Sequence, residues 1–105
     1  MDKIEKWVEK GNTGKLEKVL AKGTTEEKKA VIEALGRIGG EDAINLLIGN
    51  LRSSDTEVRK ASVTALGQAG ATRAIEFLRK ITRDEPDSEI ADLARESMHK
   101  LAGKG

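Results

Sequence analysis

Apolar residues recur along this chain three and four positions apart, the spacing that puts them on one face of a helix. Ala30, Val31, Ala34, Leu35 and Ile38 make one such stripe. Ala43, Ile44, Leu47, Ile48 and Leu51 make a second, and Ala74, Ile75, Phe77, Leu78 and Ile81 a third. Polar caps and glycines separate the stripes. Thr24-x-x-Glu27 and Ser54-x-x-Glu57 both fit a capping box, in which a hydroxyl and a carboxylate satisfy amides that a helix start leaves free. Gly39-Gly40 and Gly70-Ala71 stand at helix ends, where glycine readily takes the left-handed conformation. The pattern predicts seven helices, at about 2–10, 13–22, 25–38, 41–52, 55–69, 72–83 and 87–102, and no strand. Connections of a few residues make successive helices antiparallel.

The stripes belong to a repeat. Ala30-Val31-Ile32-Glu33-Ala34-Leu35-Gly36-Arg37-Ile38-Gly39 returns as Ala61-Ser62-Val63-Thr64-Ala65-Leu66-Gly67-Gln68-Ala69-Gly70, an offset of 31 residues. The same step carries Leu47 onto Leu78 and, backwards, Leu47 onto Leu16, Leu35 onto Ile4 and Ile38 onto Trp7. Past Pro86 it becomes 32, aligning Asp55-Thr56-Glu57-Val58 with Asp87-Ser88-Glu89-Ile90, so one residue is inserted near Asp84-Glu85-Pro86. Two central copies, 24–53 and 54–85, match well. An amino-terminal pair over 1–23 and a last helix over 86–105 are degenerate, as capping units are, and the expectation is one short, finished domain over 1–105. Small residues at Ala30, Ala61, Ala34 and Ala65 are expected to let neighbouring pairs approach. Leu35, Leu66, Leu47 and Leu78 would form a continuous spine, with Ile4 and Trp7 in the core of the first cap.

Composition narrows the chemistry. Hydrophobic residues are 37% of 105 and charged residues 35%, which suits a thin molecule whose every helix meets solvent. Trp7 and Phe77 are the only aromatics, so aliphatic side chains must fill the core. Nineteen basic and eighteen acidic residues leave a formal charge of +1, which argues against non-specific adhesion to nucleic acid or anionic lipid. Without cysteine there are no disulfides and no thiolate metal sites. The amino terminus lacks the apolar run of a signal peptide, and no stretch approaches a membrane span; a cytoplasmic protein is expected.

Asp55-x-Glu57-Val58-Arg59-Lys60-Ala61-x-Val63-x-Ala65-Leu66-Gly67-x-Ala69-Gly70, followed by Ala74-Ile75-x-x-Leu78, resembles HEAT-like repeats, especially the short variety of the phycobilin-lyase family. A weaker copy spans 26–51, with Glu27 in place of the motif's valine and Gly49 interrupting a second helix. The resemblance implies an all-α, right-handed α-α superhelix, a HEAT/armadillo-like solenoid whose second helices line a concave binding surface. It implies a scaffold for protein–protein interaction rather than an enzyme, and a scaffold alone is a poor guide to chemistry. It also implies that Arg59 pairs structurally with an aspartate, with Asp42 or Asp55 available.

Projecting the repeats onto one another puts Lys18, Gly49 and Lys80 in one row of the second helices, and Ala21, Arg52 and Arg83 in the next. With Lys15, Lys22 and Arg79 they form a basic stripe opposed nearby by Glu17 and Glu76. Such a stripe suits an acidic protein or peptide segment. It is also, and more simply in a molecule neutral overall, the pattern of solvated cations offsetting helix dipoles. A phosphate backbone would want stacking aromatics, which the stripe lacks. His99 is the only histidine, and its Glu96-x-x-His99 spacing occurs once where di-iron bundles need it twice, so no metal or cofactor is expected. A lone imidazole also cannot assemble a nucleophilic triad. The leading expectation is a non-enzymatic, monomeric interaction module, with a lyase-type subunit and a nucleic-acid binder as alternatives.

Overall fold

The computed structural model describes residues 3–103. The helices are α1 (Lys3–Glu9), α2 (Thr13–Lys22), α3 (Thr25–Ile38), α4 (Glu41–Gly49), α5 (Thr56–Gln68), α6 (Ile75–Asp84) and α7 (Ser88–Ala102). A 3-10 turn, Asn50–Arg52, prolongs α4, and another, Thr72–Ala74, leads into α6. No strand occurs among the described residues. Gly49 therefore closes α4 where the ladder tightens, rather than interrupting a helix midway.

Caps set these boundaries. Thr24 and Glu27 form the expected box: the Thr24 hydroxyl accepts from the Glu27 amide at 3.1 Å, and the Glu27 carboxylate from the Thr24 amide at 2.8 Å. The second expected box does not form. Asp55, one residue beyond Ser54, caps α5 by accepting from the Glu57 amide at 2.9 Å, because an ionised acceptor outcompetes a hydroxyl. Asp87 caps α7 in the same way. Gly39 and Gly40, at φ 73° and 98°, make the reversal between α3 and α4.

The first helices form one layer, α1 on α3, α3 on α5 and α5 on α7, while α2, α4 and α6 each pack on the following first helix. Leu16, Leu47 and Leu78, equivalent in the repeat, are all buried and run as a spine with Leu35 and Leu66. The closest approaches fall where two small residues meet. A Cβ on Gly36 would lie 2.8 Å from that of Ala65, and one on Gly67 would lie 2.8 Å from the Ser97 hydroxyl. Ala61 packs half-buried against the core, but Ala30 is exposed, so the expectation of close packing fails there: the tightest seam runs about two turns further along α3. Ser97 Oγ donates to the Val63 carbonyl at 2.8 Å, a buried bond joining α7 to α5. Trp7 and Ile4 pack half-buried against the core, and the Lys15 ammonium lies 5.4 Å from the Trp7 ring centroid, within cation–π range.

Arg59 does not pair with Asp42 or Asp55. Its Nη1 donates to the Ser53 carbonyl at 2.9 Å, and its Nε lies 3.3 Å from Glu85 Oε1. Asp55 is already committed to the α5 amide and to the Thr25 hydroxyl, at 2.6 Å. Glu85 lies beside the inserted residue, where its other oxygen accepts from the Asp87 amide at 3.0 Å. Glu85 thus secures both Arg59 and the α6–α7 turn.

The Thr25–Asp55 bond ties the start of α3 to the start of α5 and holds the Asp55 carboxyl below its ordinary value of 3.8, helped by the Glu57 and Val58 amides and Lys28 and opposed by desolvation. A carboxyl whose pKa falls on folding contributes stability above its unfolded pKa and loses it as pH drops through the folded one. Stability should therefore decline as pH falls through and below 3.8. Thr25→Val should shrink the difference between urea midpoints measured at about pH 5 and about pH 3; an unchanged difference would refute the coupling.

Ser62 is fully buried, and its hydroxyl has no hydrogen-bond partner among the described residues. Its counterpart in the preceding repeat is Val31, also fully buried. Ser62→Ala is expected to stabilise the protein by about 1 kcal/mol, because an unpaired buried hydroxyl carries a desolvation penalty. A melting temperature below that of the parent would contradict this.

Candidate docking groove

The layer of second helices is the open one. α4 and α6 make no extended contact, and a groove of about 560 Å³ lies between them. Ile48 and Leu51 contribute apolar lining from the α4 side, and Phe77 and Ile81 from α6, with Pro86 from the turn beyond. Phe77 is 45% exposed, the most exposed large apolar side chain described. The aliphatic core has no place for it. Its row is that of Leu46 and Lys15, one position off the buried row of Leu16, Leu47 and Leu78. Gly49 also lines the groove, and a Cβ added there would meet no atom within 4 Å. Arg73 ties the two units beside the groove, its Nη2 donating to Asn45 Oδ1 at 2.6 Å and to the Glu41 carbonyl at 3.3 Å.

All seven cations of the basic stripe are exposed, yet the structure divides them. Arg79 pairs with Glu76 on its own helix, Arg83 lies 3.4 Å from Asp84, and Lys15 lies over Trp7. Lys18, Lys22, Arg52 and Lys80 have no partner among the described residues. Of these four, Arg52 and Lys80 line the groove together, beside Asp84 and Glu85. Those two acids are neutralised internally, Asp84 by Arg83 and Glu85 by Arg59. The acidic neighbours visible from sequence, Glu17 and Glu76, omit both, because the turn that brings Asp84 and Glu85 there includes the inserted residue.

The first-helix layer differs. Two of its cations pair between helices: Lys60 with Glu89 at 2.7 Å, and Arg37 with Glu5 at 3.3 Å. Glu89, with Glu57 on the same helix, raises the Lys60 ammonium above its ordinary 10.5. A depression of about 600 Å³ between α3 and α5 is lined by both signs of charge, including Lys29, Glu33, Glu57 and Lys60. His99 and Glu96 are exposed on α7, and among the described residues no group of three or more His, Asp or Glu could hold a metal ion. No described helix is long and apolar enough to cross a membrane.

Helix pairs stacked through their first helices, with an open groove between second helices, define an α-α solenoid. The HEAT-repeat family model matches residues 14–99, and the chain belongs to that family. The match reaches HEAT repeats as a class and does not single out the phycobilin-lyase variety. No curated protein matches the chain. HEAT repeats generally mediate protein–protein interaction.

Proposed function

We propose that this protein is a non-enzymatic interaction module that holds a partner protein on its second-helix face. The observation that carries this is the contrast between the two layers. The first helices pack on one another around a depression lined by both signs of charge, whereas the second helices leave an apolar-lined groove with an exposed Phe77 and two cations, Arg52 and Lys80, without ion-pair partners among the described residues. An exposed ring in an apolar-lined groove edged by cations is the kind of surface that a partner protein covers. Lys18, Lys22, Arg52 and Lys80 are the cations free to meet the partner, with Lys15, Arg79 and Arg83 at the margin in their own contacts. No observation favours the lyase-type or nucleic-acid alternatives over this reading.

Photocrosslinking tests the choice of face. Benzoylphenylalanine placed at Lys18 or Lys80 should yield a discrete adduct in lysate of the source cells, and at Glu33 or Gln68, on first helices, should not. Adducts arising only from Glu33 and Gln68 would overturn the assignment.

A further inference from the structure

With the second-helix face as the docking surface, a reading on which the occupant's identity rests, the groove between α4 and α6 specifies more than a protein. Three features converge there. The floor is aliphatic around one exposed ring, Phe77, which calls for a bulky apolar side chain rather than a polar backbone. Gly49, where the equivalent positions carry Lys18 and Lys80, leaves the wall of α4 without a side chain and the groove open above it. The charge of the groove is also unbalanced in one direction. Its acids, Asp84 and Glu85, are matched by Arg83 and Arg59, while its cations, Arg52 and Lys80, are matched by nothing among the described residues. The residual field is positive, and the cations stand at the edge of an apolar surface where a carboxylate would be only partly hydrated.

We infer that this groove takes a short acidic segment of a partner protein, seating one large apolar side chain against Phe77 and carboxylates at Arg52 and Lys80. A phosphate backbone fits less well. It offers no bulky apolar side chain to the groove, and it would find one aromatic ring where single-stranded nucleic acids want several. The volume, about 560 Å³, suits one anchoring side chain with its neighbours rather than a whole helix.

The test uses the full chain and a fluorescein-labelled octapeptide with one central leucine flanked by two glutamates on each side, followed by anisotropy. Companion probes replace the leucine with serine, or the glutamates with lysines, and an oligothymidylate supplies phosphate without an apolar anchor. The glutamate–leucine peptide should bind, and each companion should bind at least about tenfold more weakly, since one good anchor or one charge pair carries that much. Arg52→Glu with Lys80→Glu should weaken binding by at least about tenfold, whereas Lys6→Glu with Lys100→Glu, the same change in net charge on exposed first-helix positions, should alter it less than about twofold. Gly49→Leu should block the groove and weaken binding by at least about tenfold while raising the melting temperature, because leucine is the better helix former and a Cβ there meets no atom within 4 Å. The inference is overturned if no peptide binds, if serine serves as well as leucine, or if oligothymidylate binds more tightly. It is equally overturned if both double reversals act alike. Crosslinks from Lys80 alongside such a failure would leave the docking face standing and remove only the acidic, apolar occupant.

Discussion

Gly36→Val is expected to lower the melting temperature by more than about 10 °C, the shift that about 2–3 kcal/mol produces in a domain of this size. A Cβ at Gly36 would come within 2.8 Å of the Ala65 Cβ, 3.0 Å of its Cα and 3.2 Å of its carbonyl oxygen. Two of those atoms are backbone, so no rotamer change relieves the contact and α3 must move away from α5. Overpacking of this kind costs about 1–3 kcal/mol and occasionally more, against a helix-propensity gain below about 1 kcal/mol. Circular-dichroism melts measure the outcome. A midpoint unchanged or raised would mean that α3 and α5 are not locked together at this seam.

Leu66→Ala is expected to cost about 2–5 kcal/mol, the range for truncating a buried leucine, and so a large part of a stability of about 5–15 kcal/mol. Leu66 is fully buried at the centre of the stack, on the helix that contacts both α3 and α7. In an array where each unit touches only its neighbours, loss at the centre weakens the coupling on both sides. Phe77→Ala removes a larger apolar side chain from a site 45% exposed, and should change stability by less than about 0.5–1 kcal/mol. Urea denaturation of the two variants checks the order. If Phe77→Ala proves the more damaging, the aromatic ring is a core residue and the groove is not open.

The architecture is legible from sequence because it rests on periodicity. Leu16, Leu47 and Leu78 stand 31 residues apart and occupy one buried row, and α2 and α3 run over the residues that the apolar pattern indicates. Competition among nearby groups is less legible. Ser54 satisfies the capping pattern, but Asp55 is adjacent and charged; Arg59 has aspartates available by sequence, but Asp55 is held by Thr25 and the Glu57 amide, and Arg59 meets Glu85 instead. The candidate site is half legible. The repeat offset puts Gly49 in the row of Lys80 and places Arg52 in the next, and those residues do line one groove. It does not divide the stripe into paired and unpaired cations, because Glu76 and Asp84 reach Arg79 and Arg83 through side-chain geometry alone. The apolar pattern also places Phe77 in a buried stripe, whereas the ring stands half in solvent. Its register with Lys15 is the available sign that this row meets water.

The meeting of Gly36 with Ala65 has a mechanical meaning. Helices already at contact distance cannot come closer, so that line acts as a pivot for any rocking of one repeat on the next. α4 and α6 lie across from the pivot and make no extended contact. With packed helices about 8–10 Å apart, a rotation of about 6° about the pivot displaces the far layer by roughly 1 Å. Rocking about that line would therefore change the width of the groove while leaving the row of first helices in contact, with the Arg73 bonds to Asn45 and the Glu41 carbonyl as the tie that such a motion must stretch.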